Sequence, residues 1–283
     1  MERAVDIPAL SQRGAGAPVR ARPPGRALRV LDLGRMRYTE AFALQQQLVA
    51  ERQQGRGVDT LLFVEHPHVV TMGRNGKEQN VLASRQVLER TGIEYFETDR
   101  GGDVTYHGPG QLVGYPILDL REWKRDVHAF FQGIELCLID ALAILGVAAQ
   151  RIPERGYEGV WVKGEKIAAI GIHISRWITS HGFALNVETD LNYFKYIVPC
   201  GLTKPVCSLR SVGCNAQREE VMRAIATSLA NVFDYQPLMA HQNAEGAETF
   251  RQTEPGFARP LGGALGAAPV LREFSRKGLQ ETR

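Results

Sequence analysis

The chain has 283 residues, of which 44% are hydrophobic and 23% are charged, as in an ordinary globular protein with one large domain or two small ones. Its net charge of +3 is too small to favour a nucleic-acid partner, and its four cysteines are too few for a disulfide framework, which favours a reducing compartment. We find no apolar run of the ~18 residues that a membrane span requires, so we expect no membrane partner.

Both ends of the chain have the composition of weakly ordered segments. Residues 1–27 combine Pro, Gly, Ala and Arg without periodicity, and residues 240–283 are again rich in Gly, Ala and Pro. The first segment lacks the apolar stretch of a secretory signal. It is poor in serine and contains Glu2 and Asp6, so a mitochondrial transit peptide is less favoured than a simple extension. We therefore predict a folded domain over residues 28–239, in the cytoplasm or, as the alternative, in mitochondria.

Hydrophobic periodicity within this domain predicts both helices and strands. The predicted strands are Leu28–Leu33, Thr60–Val64, Val69–Met72, Ile93–Thr98, Leu112–Leu120, the hairpin Gly159–Ile174, and Ile178–Glu188. The predicted helices run from Thr39 to Arg52, from Ser84 to Thr91, from Val127 to Leu145 after an Asp126 cap, and from Ala216 to Phe233 after an Asn215 cap. Neighbouring strands with short turns favour an α+β fold with a mixed, largely antiparallel sheet and flanking helices.

The segment from Arg100 to Leu112 differs from the rest of the chain. It contains four glycines and a proline, which exclude a helix, and it carries a cation, a hydroxyl, an aromatic ring and an imidazole. Such a connection between two strands is either a solvated loop or the wall of a binding site. Composition alone favours the loop, whereas the density of mixed side-chain chemistry favours the wall.

Two residues are candidates for chemistry. Cys200 lies between Pro199 and Gly201 without apolar periodicity, as an accessible thiol would, although most cysteines are buried fillers, as we expect for Cys137. A catalytic thiol needs a nearby cation, because an unperturbed thiol is mostly protonated at neutral pH. Lys166 leads into an apolar stretch and is the candidate cation, although it is equally a turn lysine like Lys163. Sequence spacing does not show that Lys166 and Cys200 meet.

Several common catalytic and metal sites are disfavoured. The chain has no G-x-x-x-x-G-K-[ST] loop, no G-x-S-x-G elbow and no H-E-x-x-H helix. Cys200, Cys207 and Cys214 recur every seven residues but form no C-x-x-C pair, and His66 and His68 flank a proline with no third ligand nearby. We therefore expect no metal site.

Three segments together resemble the octanoyltransferases of lipoate biosynthesis. They are Arg100 to His107 with Gly110-Gln111-Leu112 and Tyr115-Pro116, then Gly164 to Gly171, and then His181 to Asn186 leading to Pro199-Cys200-Gly201-Leu202. The resemblance covers roughly residues 28 to 235 and implies the fold of biotin and lipoate protein ligases. Cys207 departs from it, since a threonine or another small residue is expected before Ser208.

The resemblance implies an enzyme that moves an octanoyl group from acyl carrier protein to a lysine of lipoyl domains, without cofactor or metal. Cys200 would carry the acyl group and Lys166 would lower the pKa of its thiol. The implied substrate-binding residues are Arg100, Gly101, Gly102, Asp103, Val104, Thr105, Tyr106, His107, Ala169, Ile170, Gly171, Gly182, Phe183 and Ala184.

The implied acceptors are the E2 subunits of 2-oxoacid dehydrogenases and the H protein of glycine cleavage, and we expect the enzyme to be a monomer. The alternatives are an ATP-dependent lipoate or biotin ligase on the same fold, a non-catalytic protein that binds carrier or lipoyl domains, and a thioester hydrolase. Each of these predicts a different outcome when the chain meets an octanoyl thioester.

Overall fold

A computed structural model of the chain describes residues 26–154, 156–197 and 205–238. Cys200 and the predicted terminal extensions lie outside these residues, except that the first strand already begins at Arg26. The strands are β1 (Arg26–Arg35), β2 (Asp59–Glu65), β3 (Val69–Met72), β4 (Glu94–Glu97), β5 (Val104–His107), β6 (Gln111–Ile117), β7 (Val160–Val162), β8 (Glu165–Ser175), β9 (Ile178–Asn186) and β10 (Tyr235–Leu238). The α-helices are α1 (Tyr38–Gln53), α2 (Arg85–Arg90), α3 (Val127–Ile144) and α4 (Arg218–Val232).

Seven strands form the main sheet in the order β10-β1-β2-β6-β9-β8-β7. The pairs β10/β1 and β1/β2 are parallel, and the other four pairs are antiparallel. A second sheet has the order β4-β3-β5, with β3 parallel to β4 and antiparallel to β5. The prediction of a mixed, largely antiparallel sheet with flanking helices is confirmed.

Helices cover both faces of the main sheet. α3 and α4 pack together on one face, where Phe130, Ile134 and Leu229 belong to the larger apolar core. α1 covers the other face through Ala41, Leu44 and Leu48, the three residues whose spacing predicted its buried side. Because both faces are covered, the central strands β2, β6 and β9 are buried along almost their whole length.

Local sequence signals placed the helix ends with uneven success. Asp126 caps α3 as predicted, since its carboxylate accepts from the Ala129 backbone N–H at 3.0 Å. Asn215 was the wrong cap for α4, which begins after Gln217, where Glu220 completes a capping box. Likewise α1 begins after Arg37 instead of Thr39, and Arg37 makes no side-chain capping bond.

Two strands were missed. The segment from Arg100 to Gly110 contains β5, so it is a strand between two turns and not a continuous loop. β10 extends the main sheet past α4, where Tyr235 pairs with Arg26 and its hydroxyl donates to Asp59 Oδ2 at 2.5 Å. A strand of four residues paired with the opposite end of the chain leaves little local signal.

One described helix, α3, is long and apolar enough to cross a membrane by length and composition. Two carboxylates, Glu135 and Asp140, interrupt it, so it is not a continuous apolar run. Eight of its residues are buried, and Cys137 is one of them, fully enclosed as predicted for a core filler. Core helices of globular proteins pass the same test, so α3 alone is weak evidence for a span.

Candidate active site

A pocket lies where β5, β6, β8 and β9 meet, and it encloses about 760 Å³ of space with the open solvent at its mouth included. Twelve of the fourteen residues predicted to bind substrate line it, and so does Lys166. Its floor is apolar, with Val113, Ile170 and Phe183 among its residues, whereas Lys166, His107 and Asn186 supply polar groups. An apolar cleft with a few convergent polar groups is the usual form of a small-molecule site.

The two exceptions, Gly101 and Tyr106, lie outside the pocket wall. Tyr106 points to the opposite side of β5, where its hydroxyl is 2.8 Å from His68 Nδ1 and its ring stacks on Tyr193. Gly101 donates its backbone N–H to the Ile172 carbonyl at 2.8 Å. Both residues therefore hold the segment in place and do not themselves face the pocket.

Arg100 also has a structural part. Its guanidinium donates to the Thr71 carbonyl at 2.7 Å and to the Thr71 hydroxyl at 2.9 Å, and only 8% of the residue is exposed. These bonds fasten the segment to β3. Gly171 allows the close approach, because a Cβ there would lie 3.0 Å from the Gly101 carbonyl oxygen.

A β-bulge directs Lys166 into the pocket. Val160 pairs with Ala168 while Trp161 pairs with Lys166, so Ile167 is an extra residue on β8. Ile167 and Ala168 are consecutive and yet both are buried in the larger core. Strict alternation would put Lys166 on the core face with Ala168; the bulge returns Lys166 to the pocket face with Ala169.

The surroundings of Lys166 leave its charge largely unopposed. Only 9% of the residue is exposed, and its Nζ lies 4.9 Å from the centroid of the Trp161 ring. Among the described residues no carboxylate lies within ion-pair distance of it. A cation that is screened neither by water nor by a carboxylate acts strongly on a neighbouring group.

Backbone bonds join Lys166 to the segment that follows Cys200 in sequence. The Lys166 N–H donates to the Pro205 carbonyl at 2.9 Å, and the Cys207 N–H donates to the Lys166 carbonyl at 3.0 Å. Phe194, which precedes residues 198–204 in sequence, lines the pocket, and so does Val206, which follows them. The described residues on both sides of 198–204 therefore lie at this pocket.

A hydrogen-bonded chain fixes the polar wall of the pocket. The Gln111 amide donates to the Tyr106 carbonyl at 3.3 Å and to Asn186 Oδ1 at 3.0 Å, so its oxygen accepts from His107 Nδ1 at 2.7 Å. Asn186 then donates to the Cys207 carbonyl at 3.0 Å. This assignment leaves His107 Nε2 without a proton, and burial lowers the pKa of His107 to about 3. His107 is therefore a neutral hydrogen-bond acceptor, and too weak a base to retain a proton.

Sequence reasoning missed four residues of this region. Gln111, His181 and Asn186 lay inside the family segments without an assigned role, and Asp99 directly precedes the first of those segments. His181 lines the pocket, and its Nε2 is 2.7 Å from Asp99 Oδ1. The partners are separated by 82 positions in sequence, so no local pattern indicated the pair.

The second thiol near Cys200 is inert. Cys207 is 1% exposed, its thiol donates weakly to the Glu165 carbonyl, and burial raises its pKa to about 12. Burial also raises the pKa of Cys137.

We expect iodoacetamide at pH 8 to leave Cys137 and Cys207 unmodified in the native protein, because alkylation requires an accessible thiolate. Peptide mass spectrometry measures this, with the unfolded protein as the control in which all four cysteines react.

The described part of the chain contains no group of three or more His, Cys, Asp or Glu residues arranged to hold a metal ion. The polar groups that line the pocket are the Lys166 ammonium, the Arg100 guanidinium, the Asp103 carboxylate, hydroxyls, neutral imidazoles and amides. These groups can orient an acyl thioester and stabilise a thiolate by charge and hydrogen bonding.

Residues 37–230 match the family model of the lipoyl protein ligase A/B catalytic domain. The octanoyltransferase of Solibacter usitatus is 58% identical over 207 residues, which are 73% of this chain and 93% of the relative. The chain belongs to the octanoyltransferase family. It is therefore an acyltransferase, and the resemblance seen in the three sequence segments is confirmed. A second relative, the octanoyltransferase of Koribacter versatilis, is 51% identical over 75% of this chain and 86% of its own length.

Solved structures show the same fold at low identity. A putative lipoate protein ligase from T. acidophilum with bound lipoic acid has a TM-score of 0.59 at 18% identity, covering 81% of this chain and 95% of that one. Lipoate-protein ligase A bound with ATP has a TM-score of 0.57 at 18% identity, covering 80% and 94%. A bi-partite lipoate protein ligase, described with its E2 lipoyl domain from Thermoplasma acidophilum, has a TM-score of 0.58 at 18% identity over 84% and 98%.

Proposed function

We propose that this octanoyltransferase moves an octanoyl group from acyl carrier protein to a lysine of a lipoyl domain, with Cys200 as the transient carrier. The observation that carries the proposal is the bulge-directed Lys166, whose side chain lies in an apolar pocket and whose backbone bonds to the segment following Cys200. An ammonium group beside a thiol stabilises the thiolate and lowers the thiol pKa.

The reaction proceeds in two balanced half-reactions. The Cys200 thiolate attacks the octanoyl thioester, the new sulfur–carbon bond forms, the bond from that carbon to the carrier sulfur breaks, and the carrier leaves as a thiol with a proton from Lys166. The lysine amine then attacks the acyl-enzyme, the nitrogen–carbon bond forms, the bond from carbon to the Cys200 sulfur breaks, and the amine proton passes to Lys166, which restores the thiolate beside an ammonium. One thioester replaces another in the first step and an amide forms in the second, so ATP is not required.

The pocket offers a separate wall for each part of the donor. The side chains of Val113, Ile170 and Phe183 suit the hydrocarbon chain. At the polar end, Lys166 and the neutral His107 suit the thioester and the attacking groups. Likeness to a ligase studied with an E2 lipoyl domain supports lipoyl domains as acceptors, and the glycine cleavage H protein belongs to the same proposal.

Intact-protein mass spectrometry after incubation with octanoyl-acyl carrier protein tests the proposal. We expect an octanoyl mass shift that maps to the peptide containing Cys200, that is absent from Cys200→Ser, and that disappears when a lipoyl domain is added. The wild-type chain without carrier is the blank, and Cys207→Ser is the matched thiol control, which should acylate normally.

The alternatives give different results in the same experiment. An ATP-dependent ligase would octanoylate the lipoyl domain from free octanoate and ATP, and would still do so after Cys200→Ser. A binding protein would show no mass shift and no turnover. A hydrolase would release octanoate without an acceptor faster than it transfers the acyl group.

A further inference from the structure

An unusual backbone conformation places His181 beside Asp99. His181 has φ of +56°, in the left-handed region that side chains other than glycine rarely occupy. Two contacts fix this part of β9: the His181 N–H donates to Gln45 Oε1 of α1 at 2.8 Å, and Ile172 of β8 lies opposite. The Ile172 carbonyl also accepts from the Gly101 N–H, which brings Asp99, two residues before Gly101, to His181.

The protonation of His181 follows from this contact. Asp99 Oδ1 lies 2.7 Å from His181 Nε2, so that nitrogen carries the proton and donates it. Burial lowers the pKa of His181 to about 4, and the ring is therefore neutral at physiological pH. Its Nδ1 is then a lone-pair acceptor, and it is buried with no hydrogen-bond partner among the described residues. Because buried acceptors are normally hydrogen-bonded, Nδ1 is a polar group that is able to accept a hydrogen bond from a ligand in the pocket.

Asp99 is partly exposed on the side of the pocket wall that faces away from the pocket. Its side chain is 33% exposed and borders a shallow surface groove that it shares with Phe42, Arg74, Glu97 and Thr98. Burial works to raise the pKa of Asp99, but the hydrogen bond from His181 and the electrostatic effect of the neighbouring histidine rings together lower it. The carboxylate is thus ionised, and it links the outer groove to a residue that lines the pocket.

The charge of Asp99 selects the kind of group that enters the groove. Of the two carboxylates there, Glu97 lies 3.8 Å from the Arg85 guanidinium, whereas among the described residues no arginine or lysine lies within ion-pair distance of Asp99. A carboxylate without such a partner attracts a cation and repels an acidic carrier protein. Of the two substrates under the proposed function, only the acceptor lysine reaches the enzyme as a cation.

We infer that Asp99 and His181 form the receiving site for the ε-ammonium group of the acceptor lysine. Asp99 binds the cation at the groove, where one ammonium proton passes to water along its exposed face. The neutral amine then donates a hydrogen bond to His181 Nδ1 at the pocket and attacks the acyl-enzyme. This inference rests on the proposed function, and it assigns the entry of the acceptor to the side of the pocket at Asp99.

Single-turnover transfer from preformed octanoyl-enzyme tests the site with two acceptors. One is a recombinant lipoyl domain, whose lysine is cationic, and the other is hydroxylamine, which is uncharged at neutral pH. We expect Asp99→Asn to slow transfer to the lipoyl domain at least tenfold and to leave transfer to hydroxylamine within twofold of the wild type. Asparagine keeps the size of aspartate and can still accept from His181, so the wall retains its shape.

Glu97→Gln is the matched control, because it removes a carboxylate from the same groove without contact to His181. It should lower transfer to the lipoyl domain less than threefold. Equal losses with both acceptors in Asp99→Asn would assign the pair a purely structural role, and no loss with either acceptor would also overturn the inference. Asp99→Glu, which restores the charge, should recover part of the transfer to the lipoyl domain.

A measurement on the wild-type chain is independent of folding defects and of acyl transfer. With ¹⁵N-labelled histidine, n-butylamine at neutral pH should shift the Nδ1 resonance of His181, whereas n-butanol should not. An unchanged resonance at saturating amine would refute the site. If no octanoyl-enzyme forms at all, the proposed function fails, and this measurement still decides whether the pair binds an ammonium group.

Discussion

Replacing Lys166 by methionine is expected to slow formation of the octanoyl-enzyme by ~10²- to 10⁴-fold, the range typical of a lost acid–base group. Methionine keeps the length and the apolar stem that packs near Trp161 but removes the ammonium. The Cys200 thiol would then titrate near the ordinary value of ~8.5 and would be mostly protonated at neutral pH. Rapid-quench mass spectrometry measures the acylation rate, and iodoacetamide alkylation against pH measures the thiol pKa, which should rise.

Lys163→Met is the matched control. Lys163 precedes Lys166 by three residues, is exposed, and occupies the turn between β7 and β8 with φ of +49°. Its replacement removes the same charge and should change neither measurement. Lys166→Arg distinguishes the electrostatic effect of the positive charge from proton transfer, since arginine keeps the charge but does not release a proton. It should preserve the alkylation profile while transfer to the acceptor falls. An alkylation profile of Lys166→Met that matches the wild type would refute the pairing of Lys166 with Cys200.

How far the sequence predicts this site depends on the range of the interactions. The α3 helix was predictable because its cap at Asp126 and its buried spacing are local. The turn predicted at Lys163, Gly164 and Glu165 was recognisable because Gly164 readily adopts the positive φ that a two-residue hairpin turn requires, although the structure already places Glu165 in β8. The strands after the turn were also recognisable from their apolar residues.

The bulge at Ile167 was not predictable from the same stretch. Because residues 167 to 170 are all apolar, the sequence does not show which of them face the core and does not define the register of this strand. The register comes from Trp161 pairing with Lys166 and from the backbone bonds of Lys166 to Pro205 and Cys207. The direction of the candidate catalytic ammonium is therefore set by contacts distant in sequence.

The segment from Arg100 to His107 illustrates the difference between a motif and its geometry. The resemblance assigned the whole segment to binding, but β5 turns Tyr106 away from the pocket and His107 toward it. Arg100 is engaged with Thr71, which makes it an anchor of the wall. Side chains of one motif therefore divide between the site and its support, because alternation along a strand directs neighbours to opposite faces.

The buried histidines of the site predict a marked loss of stability in mild acid. His66, His107 and His181 are at most 6% exposed, and burial lowers their pKa values to about 4, about 3 and about 4. In the unfolded chain each has a pKa of ~6.5. Above pH 6.5 neither state binds the proton, so the full stability is present. Below pH 6.5 the unfolded chain takes up protons that the folded protein does not bind. The free energy of unfolding therefore falls until the pH reaches the pKa that each histidine has in the folded protein.

Between pH 6.5 and 5 each of these histidines should lower the free energy of unfolding by up to ~2 kcal/mol, and the three together by up to ~6 kcal/mol. That is comparable to the whole stability of a typical domain, ~5–15 kcal/mol, so we expect unfolding well above the pH at which ordinary carboxylates titrate. Urea unfolding at a series of pH values measures the slope and the number of protons taken up.

His66→Gln isolates one of the three contributions. His66 donates to the Met36 carbonyl and accepts from the Tyr115 hydroxyl, both at 2.8 Å, and glutamine offers a donor and an acceptor without titrating. The variant should be less stable than the wild type at pH 7.5 but should lose stability more slowly toward pH 5, by up to one proton in the slope. His128→Gln, on the exposed surface of α3, is the matched control and should leave the slope unchanged. Parallel slopes for His66→Gln and the wild type would show that His66 is not held neutral by burial, because only a group whose proton affinity differs between the folded and unfolded states contributes to the slope.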